Sequence, residues 1–475
     1  MNNKAFLFAS LKLVMLATLV TLVGCSNNLS KSSKLNSEQR IAEAANYLKL
    51  ARESQPPLSV HYRLQATEQL ILVGQTHSAS RILREVLSIE EDPNVHKQIL
   101  QIRLSLLKED TKHALTLLKS LMTSMGIEPE NTLRVGSGNG KRIALLLPLQ
   151  GSFSDSAKTI RDGFLAAYYK NLQNKSLDPT IQVYDTGDGS AVLEAYQKAI
   201  AEQSDIIVGP LTKSEVEIIA SINLDIPVLA LNTMSEQRSL PGQLYQFGLL
   251  PEDEVFAAVR HARNKGYQRA VIMVPKGEWG QRMTKAFTHY WEKQGGTLIG
   301  LQSFIPGHNL DASVRKLLST EGNSENPGNQ RRDIDMIFMP TTPDNARQIK
   351  PLLDQYHADN IPVYSTSTVY SGTPTASKDQ NLNGIIFCDM PWILQADQFQ
   401  EAKRTAAKSW SSSYSYSPRY FALGMDAYQL ASELSHSRAL KTVTGVTGTL
   451  ILNRQQHVKR QLVCAKFVQG VPVPY

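Results

Sequence analysis

Cysteine is nearly absent from this chain of 475 residues: Cys25, Cys388 and Cys464 are its whole supply. No C-x-x-C pair occurs, so neither a zinc ribbon nor a dithiol redox motif fits, and three cysteines cannot staple a small disulfide scaffold. Other signatures of chemistry are missing too. There is no H-E-x-x-H helix and no G-x-S-x-G elbow, and the ten histidines are scattered without ligand spacing. Val183-Tyr184-Asp185-Thr186-Gly187 matches the Asp-Thr-Gly of aspartic proteases, but those need a second such carboxylate, and none is present. A strand ending in an Asp turn explains it equally well. Ser105-Leu106-Leu107-Lys108 fits S-x-x-K without K-T-G or S-D-N beside it. The run GSGNGK at 136–141 is one residue short of a phosphate loop, and a strand follows where a helix N-terminus should stand. These absences point away from an enzyme, and no metal or cofactor is called for.

Charge of one sign is also not concentrated. The net charge of +7 is spread along the chain, with a single local cluster at 457–460 (HVKR). A nucleic-acid site would show a basic stripe with interleaved aromatics, so nucleic acid is excluded as a partner.

What is present begins with a targeting segment. Lys4 is followed by an apolar run over 5–23, broken by Lys12 and small hydroxyls, and closed by Leu22-Val23-Gly24-Cys25. This layout is a secretory signal over residues 1–24, with Cys25 as the lipidated first residue of the mature chain; a retained membrane anchor is the competing reading. Ser26, rather than Asp, follows the cysteine, which favours the outer membrane. Residues 25–34 form a polar tether. An oxidising periplasm would permit a bridge between Cys388 and Cys464, which lie in the strand-like runs GIIFC and LVCAKF; two free buried thiols fit as well.

From 35 to 130 the composition turns to Leu, Ala, Gln, Glu and Arg, with breakers at Pro56-Pro57, Gly74, Asp92-Pro93, Glu109-Asp110 and Gly126. The breaks recur about every 18 residues, so a helical hairpin takes about 36, near the 34 of tetratricopeptide units. Each segment carries apolar residues at helical spacing: Leu64, Ala66, Leu70, Ile71; Ile82, Leu83, Val86, Leu87; Ile99, Leu100, Leu104, Leu107; Leu115, Leu118, Leu121, Met122. Stacked antiparallel hairpins would bury all of these stripes in a TPR-like array. Residues 131–141, with Gly136, Gly138 and Gly140, read as a flexible linker.

The remainder, 142–475, alternates strands and helices. Residues 143–147 form an apolar run cut off by Pro148, which reads as a strand buried on both faces, and the segment after Ser154 has helical spacing. Further strands are expected at 180–184, 205–208, 227–231, 269–274, 297–304, 334–339 and 362–365, with helices between them. Parallel strands joined by helical crossovers require doubly wound sheets, and their number requires two lobes. The fold class is therefore α + α/β. Lobe 1 is placed at about 142–250 and 366–440, and lobe 2 at about 251–365 with a terminal hairpin at 441–475. Residues 322–332 read as a polar insert, and 409–417 as a surface loop between helices.

Open α/β sheets bind ligands at the carboxyl ends of their strands. Those ends supply Ser152 and Ser154, then Thr212 and Ser214 in Gly209-Pro210-Leu211-Thr212-Lys213-Ser214, then Thr233. Their hydroxyls, beside a helix N-terminus, suit a small carboxylate ligand. A plain helix cap by Thr212 is the alternative.

RIALLLPLQG, TIRDGFLAAYY, VYDTGDG, DIIVGPLTKSEV, PVLALNT and the closing GVTGTLILNRQQHVKRQLVCAKFVQG resemble type I periplasmic solute-binding proteins in their strand-turn pattern. Together with the lipobox and the helical front, they resemble the penicillin-binding protein activator lipoproteins of Gram-negative bacteria. The chain departs from that pattern at Cys464-Ala465-Lys466-Phe467, where an aromatic is expected. The resemblance implies an outer-membrane lipoprotein, anchored through Cys25 and facing the periplasm, that stimulates the transpeptidase of a bifunctional penicillin-binding protein in the inner membrane. The rival is a periplasmic receptor that binds an amino acid or peptidoglycan fragment between the lobes. The helical front, unnecessary for a receptor, separates the two.

Overall fold

The computed structural model describes residues 37–56, 58–125, 134–135, 141–172, 179–234, 241–319, 331–436 and 442–475. The signal peptide (1–24), the lipid site Cys25, the tether (25–34) and most of the insert expected at 322–332 lie outside the described residues. Among the described residues no helix is long and apolar enough to cross a membrane. The chain divides into a helical unit and an α/β unit.

The helical unit holds α1 (Ser37–Arg52), α2 (Leu58–Leu72), α3 (Thr76–Leu87), α4 (Pro93–Leu107) and α5 (Thr111–Ser124). The breaks fall where the breakers stand. Asp92 caps α4 by accepting the Asn94 N–H at 2.8 Å, with Pro93 in the first turn where its missing N–H costs nothing. Glu109, at φ 57°, reverses the chain between α4 and α5. One expectation fails. In α4, Val95, Ile99, Ile102 and Leu106 are buried, whereas Leu100, Leu104 and Leu107 are 53%, 53% and 72% exposed. The helix carries two apolar stripes, and periodicity alone cannot tell which of them meets a neighbour.

The α/β unit contains two large sheets. The first, ordered β1-β3-β2-β4-β5-β6, comprises β1 (Arg134–Val135), β2 (Arg142–Leu147), β3 (Thr180–Asp185), β4 (Ile206–Val208), β5 (Val228–Ala230) and β6 (Leu244–Gln246). All its pairings are parallel except β1 with β3. Arg134 and Val135 were expected in the linker; they pair instead with Gln182 and Ile181 as an edge strand. The three-residue β6 was not foreseen, being too short to show a period. The crossovers α6 (Ser154–Leu172), α7 (Val192–Ala201) and α8 (Lys213–Ala220) cover this sheet, with Ala144, Leu146, Val192, Tyr196, Val216 and Ile219 in one core.

The second sheet is ordered β16-β15-β11-β10-β9-β7-β8. Its strands are β7 (Arg269–Pro275), β8 (Thr297–Phe304), β9 (Met336–Phe338), β10 (Val363–Thr366), β11 (Ile386–Asp389), β15 (Val463–Val468) and β16 (Val471–Pro474). Along β7, Val271 and Met273 enter one core with α11 (Leu310–Leu318) and α12 (Pro343–Gln355), while Ala270, Ile272 and Val274 enter the other with α9 (Pro251–Asn264) and α10 (Glu278–Lys293). Successive side chains of a strand point to opposite faces, so a sheet covered on both faces needs an unbroken apolar run. At roughly 1.5–3 kcal/mol per large buried aliphatic, β7 alone is a major stabiliser of this lobe.

The lobe boundaries require correction. Strand β11 was assigned with 366–440 to lobe 1; it pairs parallel with β10 and antiparallel with β15, so the second crossing follows Asp389. Likewise 441–475 does not join lobe 2 as a whole. β12 (Val443–Thr444), β13 (Thr449–Leu452) and β14 (Val458–Gln461) form a third, small sheet, bridged at His457 to Gln246 of lobe 1. Only β15 and β16 enter the second sheet. The loop expected at 409–417 is largely helical: α13 (Gln400–Ser409), α14 (Ser411–Tyr416) and α15 (Pro418–His436) follow one another. Buried Trp410, stacked on Tyr169, anchors the break.

Cys388 and Cys464 are directly opposite in the β11–β15 ladder and form a disulfide. This resolves the alternative that the sequence left open.

Candidate functional site

The five expected site residues share the carboxyl rim of the first sheet. Adjacent strands β2, β4 and β5 deliver them, and the direction of winding reverses between β2 and β4, the usual place for a crevice. Ser152 lies exposed in the turn Gly151–Phe153, and half-buried Ser154 opens α6. Exposed Phe153 stands between them. Thr212 and Ser214 come together, their hydroxyl oxygens 3.2 Å apart. Thr233 is buried, its N–H held by the Asn232 side chain at 2.9 Å.

Most of the rim's bonding is spent on itself. Asp185, the Asp of VYDTG, accepts from the N–H of Leu149, the amide of Gln150 and the N–H of Gly187, at 2.9, 2.8 and 2.8 Å. It stitches the loop after β2 to the loop after β3, a structural duty that accounts for the protease-like motif. Thr212 forms a full capping box with Glu215. The fully buried Glu215 carboxylate accepts the Thr212 N–H at 2.9 Å, the Thr212 hydroxyl at 2.8 Å and the Thr186 hydroxyl. Thr212 is thus a helix cap, and its partner Glu215 ties the loops after β3 and β4 together. Gly209 at φ 101° completes the turn, since a Cβ there would lie 2.0 Å from the Leu146 carbonyl oxygen.

A polar cluster in lobe 2 was missed at the level of sequence. Thr366 and Thr368 share a hydroxyl contact of 2.7 Å, and Thr368 donates to the Thr341 carbonyl at 3.1 Å. Beside them Glu254 accepts both the N–H and the hydroxyl of Ser367 at 2.9 Å. Arg419 donates to Asp389 at 2.6 Å and to the Tyr370 carbonyl at 3.0 Å. Burial, helped by the Asp389 charge, pushes the Glu254 carboxyl up to about 7. The sequence signal was faint: in Pro251-Glu252-Asp253-Glu254 three acids look like ordinary first-turn residues of a helix.

Among the described residues no group of three or more His, Cys, Asp or Glu is arranged to hold a metal. The five expected residues thus share one rim whose polar groups largely bond one another.

A family model described as "LppC putative lipoprotein" matches residues 128–470. The penicillin-binding protein activator LpoA of Vibrio antiquarius is 29% identical over 455 residues, covering 85% of this chain and 74% of that protein. The chain spans between 56% and 74% of the length of such curated relatives. Among solved structures, the C-domain of LpoA (YraM) from Haemophilus influenzae, a regulator of PBP1A, is 26% identical with a TM-score of 0.57, over 70% of this chain and all of that one. A protein of Chromobacterium violaceum assigned to branched-chain amino acid ABC transport is 26% identical with a TM-score of 0.55, over 69% of this chain and all of that one.

Proposed function

Since the chain belongs to the LppC lipoprotein family, we propose that it is an outer-membrane lipoprotein that binds a bifunctional penicillin-binding protein and stimulates its transpeptidase. The observation that carries this reading is the extent of the likeness: a protein named as a penicillin-binding protein activator aligns along 85% of this chain, much of the helical front included. Lipidation of Cys25 would fix one end to the membrane, the helical unit would add reach, and the two-lobe head would meet the synthase in the periplasm. The exposed row Leu100, Leu104 and Leu107 supports a partner-binding role for the helical unit, because apolar side chains left in water at helical spacing commonly mark a contact surface. Activation is then a coupling free energy: the protein binds the active state of the synthase better than its resting state. Such a role needs no catalytic group of its own. Reconstitution of the purified chain with the organism's bifunctional synthase and lipid-linked precursor tests it. Cross-linking should rise several-fold, and an unchanged cross-linking rate at saturating protein would refute the proposal.

A second reading is a receptor for an amino acid or peptidoglycan fragment, favoured by the transporter-like fold and by Ser152, Ser154, Thr212, Ser214 and Thr233 on one rim. Calorimetric titration with amino acids and muropeptides decides it, a micromolar binder being the positive result.

A further inference from the structure

The chain crosses between the lobes three times, and each crossing is tied into one buried set of charges. The first crossing runs from β6 into α9. Here the Leu250 carbonyl accepts from Arg460 of β14 at 3.2 Å, and Asp253 lies 3.4 Å from both Arg460 and Lys459. One residue further on, Glu254 holds Ser367, just past β10. The second crossing leaves β11 at Asp389 and enters lobe 1 through α15, whose Arg419 donates back to Asp389 and to the Tyr370 and Ser367 carbonyls. The third passes from β14 through Leu462 to β15, and Arg460 sits at its threshold.

On the lobe 1 side, Asp426 of α15 accepts the N–H of Val446 at 2.8 Å and both the N–H and hydroxyl of Thr447, at 2.7 and 2.6 Å. The Val446 carbonyl in turn accepts from Trp392 in the second crossing at 2.9 Å. Asp253, Glu254, Asp389, Asp426 and Arg460 are each less than a tenth exposed. The groups also sense one another: Glu254 feels Asp389 and Arg460, Arg419 feels Glu254, and Asp426 feels Arg460.

From this geometry we infer that the crossings form a clamp: the network of buried Asp253, Glu254, Asp389, Asp426 and Arg460 with half-buried Arg419 fixes the angle between the lobes, so the head works as one rigid body instead of closing like a hinge. Closure of a two-lobe fold requires a few crossing residues to absorb changes in φ and ψ. In this protein the Leu250 carbonyl of the first crossing is bonded to Arg460 and the Met390 N–H of the second to Asp389, and breaking either bond strands a charge away from water. The inference goes beyond the regulator reading and does not depend on it. A rigid head offers a partner a composite face of both lobes without an ordering cost.

The test is an interlobe distance in the full chain. Exposed Glu194 in lobe 1 and exposed Lys285 in lobe 2 are replaced by cysteine on a Cys25→Ala background and spin-labelled. One narrow distance population is expected, and Arg419→Gln or Arg460→Gln should add a second population or broaden the first about twofold. Two populations in the parent chain, or an unchanged distribution in both variants when they melt cooperatively, would overturn the clamp. Hydrogen exchange on the unsubstituted chain decides the matter even if neither variant folds. The amides of Ser367, Val446 and Thr447 should be protected to within about tenfold of those in β7, and any faster exchange would overturn the inference. Neither failure would touch the cross-linking assay, so the two proposals stand or fall separately.

Discussion

Gly163 of α6 and Gly424 of α15 mark a point where two helices meet backbone to backbone. A Cβ on Gly163 would lie 2.0 Å from the carbonyl oxygen of Phe421, and one on Gly424 would lie 2.0 Å from that of Ile160. The contact joins the first helix of lobe 1 to the segment that returns from lobe 2, with Phe164 and Tyr168 packed edge-on against Tyr428 beside it. Alanine normally favours a helix over glycine by about 1 kcal/mol. At this crossing overpacking at backbone atoms exceeds that gain, since neither carbonyl can rotate away. Gly163→Ala and Gly424→Ala should each lose about 1–3 kcal/mol in urea unfolding of the full chain. A stabilised variant would show that the helices can move apart freely.

The buried carboxylates of Glu254 and Asp426 set a pH dependence. Burial raises both, to about 7 and about 6, from ordinary values of 4.5 and 3.8. The folded state therefore holds more protons than the unfolded state between the ordinary and the raised values. The stabilising contribution is complete below the ordinary values and is lost as pH rises through the raised ones. Glu254→Gln keeps an acceptor for the Ser367 N–H and can accept from or donate to its hydroxyl, so it should flatten the decline between pH 5 and 8 by about 1–3 kcal/mol. Urea unfolding across that range measures it, and a parental decline left intact in the variant would acquit Glu254.

Why the sequence revealed the strands but not this network is a matter of distance along the chain. Runs such as 143–147 and 269–274 must be apolar throughout because both faces of their sheets are covered, and that constraint is local. The helix cap at Thr212 was equally local, although its partner Glu215 was not singled out. By contrast, the place of β11 depends on its pairing with β15, 76 residues away at the cysteine pair, and the charges at 253, 254, 389, 419, 426 and 460 each look solvated until the fold assembles them. The two leucine stripes of α4 pose the same difficulty at the scale of one helix.

The disulfide should act as a staple on the second lobe. Cys388 and Cys464 lie 76 positions apart, and the chain between them leaves for lobe 1 and returns. Joining them removes disorder from the unfolded chain, worth about 4 kcal/mol for a loop of this size in the entropic description. The double variant Cys388→Ala, Cys464→Ala should lose about 2–4 kcal/mol, and reductant should lower the melting temperature of the parent chain but not that of the variant. An equal response of both to reductant would rule out the bridge.

Strand β16 ends the second sheet, yet its outward edge is closed. The Tyr475 N–H donates inward to the Cys464 carbonyl at 3.0 Å, so by alternation residues 471 and 473 also face β15 while 472 and 474 face out. Both outward positions are proline, which has no N–H to offer a second strand. Pro472→Thr with Pro474→Thr restores two outward donors beside half-exposed Val473 and Tyr475. Sedimentation should then show concentration-dependent self-association that is absent in the parent; a strictly monomeric variant would mean that the prolines serve another purpose.

The second stripe of α4 separates surface from core within one helix. Leu100, Leu104 and Leu107 lie at positions i, i+4 and i+7 and are more than half exposed, while Ile99 and Ile102, on the opposite side, are fully buried. The triple change of Leu100, Leu104 and Leu107 to Gln removes little burial and should alter unfolding free energy by no more than about 1 kcal/mol in total. Ile102→Ala alone leaves a cavity and should cost about 2–5 kcal/mol. The contrast is large enough to survive the usual scatter between sites, and it distinguishes a leucine row retained for contact from one retained for folding. Equal losses in the two variants would place the row inside the core after all.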